Sequence, residues 1–276
     1  MSEPIFMFDA ADSAMKQAYE KAQQSFKYFW RELSWEHRRI VPGLDMAMVK
    51  LPFTDGPRTD GKPDYEHMWI GQVDFDGEIV SGKLLNSPNW LTSVREGASV
   101  RVPFSHLEDW MMTDQGRAYG GFTVNVMRAQ MGSKERREHD SAWGLDFGDP
   151  AVVRVEIERA GKPRKSFLTG VFGGEKRTPE QEAHRDHPMC VNMLESLEKE
   201  LRGNPSFGLS RDAEGWTLLQ REALAGNLGV VKVLVRHGAD ITAKTPHGRT
   251  ASELAGGIGW PEIARYLDQC TSGGKS

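Results

Sequence analysis

The sequence predicts an α+β domain (helix plus antiparallel sheet) followed by an all-α module built from a helical repeat. Three observations carry this. An amphipathic helix lies near the start, short apolar runs separated by Gly-containing turns follow it, and a 33-residue period appears near the end. A helix and then successive hairpins is an α+β pattern. A fixed period of that length marks stacked helical units.

The helix is expected from about Asp12 to Leu33, because Met15, Tyr19, Ala22, Phe26, Phe29 and Leu33 recur at spacings of three and four. Asp12 or Ser13 is its expected cap. Met46, Met48 and Leu51 then open a strand-like run. His67 to Phe75 and Glu78 to Leu85 flank Asp76-Gly77, which predicts a hairpin with a type I′ turn. A second turn is expected at Glu96-Gly97, before the strand Ala98 to Val102. Phe104 to Met111 reads as a short helix capped by Ser105. Asp114-Gln-Gly116 turns the chain into a strand from Tyr119 to Met127, and Lys134 to Asp140 reads as a surface stretch. Val152 to Ile157 and Ser166 to Phe172 are two further strand candidates around a turn at Gly161-Lys-Pro163. The first domain is placed at residues 1–174, and a charged linker at 175–188.

Composition narrows the function. The chain has 39 acidic and 35 basic residues, which lacks the basic surplus of a nucleic-acid binder. It contains no apolar run of bilayer length. The N-terminus lacks the charged start and apolar stretch of a secretory signal. Cys190 and Cys270 lie far apart with no metal-type spacing. A cytoplasmic protein with reduced thiols is expected.

In the last quarter, Gly215, Thr217, Gly226, Val230 and Leu234 recur 33 residues later as Gly248, Thr250, Gly259, Ile263 and Leu267. The Gly-x-Thr start, the two helices and the Gly238-Ala-Asp240 exit resemble the ankyrin repeat. The module is placed at residues 189–270, with a degenerate cap at 189–210 and repeats at 211–243 and 244–270. Leu197 and Leu201 precede Val230 and Leu234 by 33 residues, which fits a degenerate first unit. Arg221-Glu222 is less apolar than such an inner helix usually is. So short an array is expected to pack against the first domain, since at least three units are normally needed for stability. The resemblance implies binding through turn tips and the inner helical face. That nominates Glu214, Trp216 and Gln220 in the first unit, and His247 and Arg249 in the second. Trp90, after the loop formers Asn86-Ser-Pro-Asn, is a further candidate anchor.

In the first domain, Glu66-His-Met-Trp69, Gly82-Lys-Leu-Leu-Asn-Ser-Pro88, Glu96-Gly-Ala-Ser-Val100, Leu107-Glu-Asp-Trp110 and Gly120-Gly-Phe-Thr123 stand in order. Together they resemble the YegJ-like family, domain of unknown function 2314 (DUF2314), over roughly Ala14 to Met131. Coupled to ankyrin repeats, the resemblance implies a bacterial immunity protein. Such proteins bind and silence toxins injected by neighbours, as in type VI secretion.

The motif residues themselves favour structure over chemistry. Glu66-His67 offers a base pair on paper, but His67 opens a strand and Trp69 alternates inward. Glu108-Asp109 are adjacent and do not face each other on a helix. Gly120-Gly121 lacks the context of a phosphate loop and reads as a bulge or a close backbone approach in a strand. Glu138-His-Asp140 and His184-Arg-Asp-His187 are the metal-like clusters, each without an evident third ligand. No catalytic residue, cofactor or metal is expected. The expected function is protein binding, directed at a cognate toxin; the acidic balance suits a basic partner such as a nuclease. The alternative is an enzyme whose N-terminal domain acts on a substrate chosen by the repeats. A scaffold without an antagonist role is a third reading.

Overall fold

The computed structural model describes residues 5–57, 59–61, 63–157 and 184–273. Helix α1 spans Ile5–Glu36, longer at both ends than its apolar stripe suggests. Asp12 and Ser13 therefore lie inside it and do not cap it. Its buried face carries Ala18, Ala22, Phe26, Phe29, Trp30 and Leu33. That face lies on a six-stranded sheet of β1 (Met46–Phe53), β2 (Glu66–Phe75), β3 (Ile79–Leu84), β4 (Ser99–Pro103), β5 (Asp109–Asp114) and β6 (Arg117–Gly120). The spatial order is β4-β3-β2-β1-β5-β6, with every pair antiparallel. Val49, Leu51, Met68, Ile70, Trp110 and Met112 point toward α1, as alternation along each strand requires. Met48, Met111 and Ala118 on the opposite face form a second cluster with Val124 and Phe147.

Several elements differ from the sequence reading. The Asp76-Gly77 hairpin forms, but positive φ occurs there only at Gly77. The Asp76 carboxylate instead accepts the amides of Glu78 and Ile79. Both central residues are left-handed at Gln115-Gly116, so the type I′ geometry sits in the β5–β6 hairpin. The helix expected over Phe104 to Met111 is a single 3-10 turn, Phe104–His106, followed by β5. The strand expected over Tyr119 to Met127 stops at Gly120, and α2 (Phe122–Gln130) begins after Gly121. A Cβ on Gly120 would run into the Trp110 carbonyl and ring, which fits the expected close approach. Lys134 to Asp140 belongs to α3 (Ser133–Trp143), whose described residues are all at least partly exposed. Val152 to Ile157 forms no strand, although the Arg154 carbonyl accepts the Gly120 amide. The strand at 166–172 and the turn at 161–163 lie outside the described residues.

The second half is helical: α4 (Pro188–Gly203), a 3-10 turn (Pro205–Leu209), α5 (Leu218–Leu224), α6 (Leu228–Arg236), α7 (Ala251–Ile258) and α8 (Pro261–Gly273). Thr217 and Thr250 each close a capping box with the residue three positions on, Gln220 and Glu253. Helices α5 and α7 pack as one layer, and α4, α6 and α8 as the other. Leu197 and Leu201 of α4 are buried in the core that also holds Val230 and Leu234 of α6. Gly226 has φ of 79°, and a side chain there would strike the Trp260 ring of the next unit. One apolar cluster runs unbroken from the sheet through α1 into both helical layers.

Candidate functional site

The conspicuous polar residues of the first domain are engaged in holding it together. Glu66 is buried, and its carboxylate accepts the amides of Asn89, Trp90 and Leu91. It anchors the loop that carries Trp90. That loop is also held by Asp55, which accepts the amides of Thr92 and Ser93. Bonds from Ser93 and Thr92 hold the Asp55 carboxyl down at about 2. Glu108 faces His67, with Nδ1 2.7 Å from Oε2. The His67 side chain is 43% exposed. Asp109 is fully buried and reaches across to the start of α2, where it accepts from the Phe122 and Thr123 amides and the Thr123 hydroxyl.

The most elaborate polar construction joins the two halves. Glu222 on α5 has no exposed surface, and its carboxylate meets Arg38 at 2.8 Å and Asn227 Nδ2 at 2.6 Å. Asn227 in turn accepts from the Trp35 indole at 3.2 Å. The Arg38 guanidinium lies over one face of Trp35, and the His187 ring stacks against Trp35 at 5.5 Å. His187 Nδ1 accepts the Met189 amide, so its proton sits on Nε2, 3.2 Å from Glu32. At the far end of the array, Lys27 donates to the Gly259 carbonyl, and Lys27 and Arg31 both lie over the Trp260 ring. Asp186 accepts the Gly229 amide and so fastens the segment before α4 onto α6. Residues 184–187, expected as part of a linker, are thus docked between the halves.

The nominated partner-binding residues fall into three groups. Trp216 and Gln220 are interior. Trp216 is 3% exposed with Arg221 over its ring, and Gln220 completes the α5 cap and donates to the Ala243 carbonyl. Trp90 is half-buried against the core, and its indole N–H is buried too. Glu214, His247 and Arg249 are exposed, but each faces a partner within the chain. Glu214 pairs with Arg221, Arg249 pairs with Glu78 at 2.6 Å, and His247 lies 3.8 Å from Asp76. The β2–β3 hairpin therefore occupies the tip of the second unit. Sequence reading missed Arg38 and Trp35, and it placed His187 only in a metal-like cluster. The one available signal was Glu222, a charge in an inner helix where an apolar residue is usual.

Among the described residues no three His, Cys, Asp or Glu side chains converge as metal ligands do. His139 and Asp140 sit beside Arg128, and His184 packs edge-on against Trp260. Burial, with the Asp186 carboxylate beside it, pushes the Cys190 thiol up to about 12. The thiolate is the reactive form. Ellman's reagent is therefore expected to modify half-exposed Cys270 in the native protein and to reach Cys190 only after denaturant is added. Rapid reaction of both thiols in the folded protein would contradict this burial.

The fold and these contacts define a class: an α+β domain joined through a buried polar seam to a stack of helix pairs. Residues 12–147 match the family described as "uncharacterized protein conserved in bacteria (DUF2314)". The chain is 42% identical over 265 residues to a Neisseria meningitidis serogroup B protein that bears the name ankyrin repeat protein, covering 96% of each. The chain belongs to the same family as that protein. It is also 30% identical over 94 residues to YegJ of Escherichia coli, 34% of this chain and 58% of YegJ. Over 53 residues it is 45% identical to human protein phosphatase 1 regulatory subunit 27, 19% of this chain and 34% of that one. Among the described residues no helix is long and apolar enough to cross a membrane.

Proposed function

We propose that the helix pairs are ankyrin repeats and that the chain is a non-catalytic, cytoplasmic binder of a protein, namely an immunity protein that neutralises a cognate toxin. The observation that carries the reading is the 33-residue recurrence of capping box, left-handed glycine and buried helix pair in a relative of a protein named for ankyrin repeats. Arrays of this kind bind partners on extended surfaces. The engagement of Glu66 and Asp109 in loop and helix anchoring supports binding over catalysis. Affinity purification of the tagged chain from its native cells is expected to bring down one partner at near-equal amount. Co-expression with that partner is expected to relieve its toxicity. Recovery of no stoichiometric partner under conditions where toxins are expressed would overturn the reading.

One observation favours the alternative, an enzyme whose N-terminal domain acts on a substrate chosen by the repeats. The His67 ring is held at Nδ1 by Glu108 while part of it faces solvent, an arrangement that orients a base. The same experiment separates the two. A His67→Gln chain that keeps partner capture and rescue sets the enzyme reading aside, and one that keeps capture but loses rescue supports it.

A further inference from the structure

In the array, α5 and α7 form the inner layer, and the N-terminal domain already covers the α7 end of it. Arg249 is on Glu78, Leu254 sits against the Gly77 turn, and Gly259 receives Lys27. Over α5 the cover is incomplete: Arg38 sits on Glu222, but Leu218 and Arg221 are only half-buried. There a cleft of about 630 Å³ runs between the last turns of α1 and helices α4 and α5, with Asp74 of β2 on its edge. That volume is within the range of pockets that take a side chain or small ligand, roughly 300–1,000 Å³. Its floor is apolar, made by buried Trp30, Leu197 and Leu224. Phe207, 40% exposed, stands at its rim beside half-buried Met193.

The charges around the cleft are unbalanced. Arg38 is neutralised by Glu222, and Arg221 by both Asp212 and Glu214. Asp74 and Glu200 are exposed on the cleft wall, and neither has an ion pair among the described residues. An apolar floor with two uncompensated carboxylates at its edge fits a ligand that pairs an apolar group with a cation. A tethered segment of chain offers both at neighbouring residues.

We propose that this cleft is where the chain receives its protein partner, through a segment that places an apolar side chain on Trp30 and Leu224 and a lysine or arginine on Asp74 and Glu200. This rests on the protein-binding reading above. The walls come from both halves of the chain, so the site exists only while they are docked. That gives the buried seam between them a functional consequence.

The test is selection of a phage-displayed random peptide library on the full chain, followed by titration of the enriched peptides. Two variants accompany the wild type. Ser196→Trp fills the cleft from an exposed position on α4, and Glu200→Lys reverses one carboxylate. Peptides combining an apolar residue with an adjacent Lys or Arg are expected to emerge. Their affinity is expected to fall about tenfold or more in Ser196→Trp, where an anchor pocket is lost, and to weaken in Glu200→Lys and with added salt. Enriched peptides that bind both variants as tightly as wild type would overturn the assignment of the cleft while leaving protein binding intact. Acidic consensus peptides, or no enrichment, would overturn it as well. The protein-binding reading then stands or falls on the partner purification. If Ser196→Trp lowers the thermal midpoint, the Glu200→Lys result decides.

Discussion

Arg38→Ala is expected to destabilise the full chain by about 3 kcal/mol, because it strands a carboxylate that has no exposed surface. Glu222 would retain only the Asn227 amide. The guanidinium is a third exposed, so part of its charge interaction is screened by solvent. The cost therefore comes chiefly from the abandoned Glu222 charge and not from the pair itself. That distinction is measurable. Arg38→Met combined with Glu222→Leu is expected to recover most of the loss, since replacing both members of a buried pair with apolar groups is often neutral or better. Urea unfolding of Arg38→Met, Glu222→Leu, the double variant and the wild type supplies the cycle, with Arg38→Ala beside it. A double variant as unstable as Arg38→Ala would mean that the seam depends on the ion pair itself. The same variants bear on function. Loosening α1 from α5 opens the cleft wall, so Arg38→Ala is expected to lose partner affinity even at temperatures where it stays folded.

Legibility from sequence followed how local the controlling interactions are. The repeat was visible because Thr217, Thr250, Gly226 and Gly259 are demanded by caps and turns within a few residues of themselves. The start of the fold was visible because α1 has one covered face and so a clean period. Strand β5 was not. It is covered on both faces, with Trp110 and Met112 toward α1 and Met111 toward the second cluster, so alternation disappears and a continuous apolar run reads equally as helix. Helix α2 was hidden for the opposite reason. Phe122 to Met127 is rich in strand formers, and the residue that starts the helix, Asp109, is thirteen positions away. Tertiary contact overrode propensity. The site shows the same division. Repeat geometry pointed to His247 and Arg249, and both do reach a protein surface, but it is the chain's own β2–β3 hairpin. No local pattern announces that Arg38 meets Glu222 across 184 residues of sequence.

Asp109→Ala is expected to be the most damaging single change in the first domain, at about 3–5 kcal/mol, because several buried donors lose their acceptor together. The carboxylate serves the amides of Trp110, Phe122 and Thr123 and the Thr123 hydroxyl, all at 2.7–2.9 Å. Gly121, the residue at the helix entry, has no side chain to substitute for it. Asparagine does not repair the loss, since its amide turns two donors toward amides that need acceptors. Both variants are expected to lower the urea midpoint. Helix α2 is expected to exchange its first amides with solvent sooner than the rest of the domain. The group also gives a pH signature. Burial pushes the Asp109 carboxyl up to about 6, against the pull of its four donors. Between about pH 4 and 6 the folded protein therefore holds a proton that the unfolded chain has released. Stability contributed through this group falls as pH rises through that window and is level above it. Asp109→Asn removes the ionisation, so its stability relative to wild type is expected to be worst near pH 4 and to improve up to about pH 6. A difference between the two that stays constant across this range would show that Asp109 ionises in the folded protein as it does in the unfolded chain. Its four donors would then fully compensate the burial.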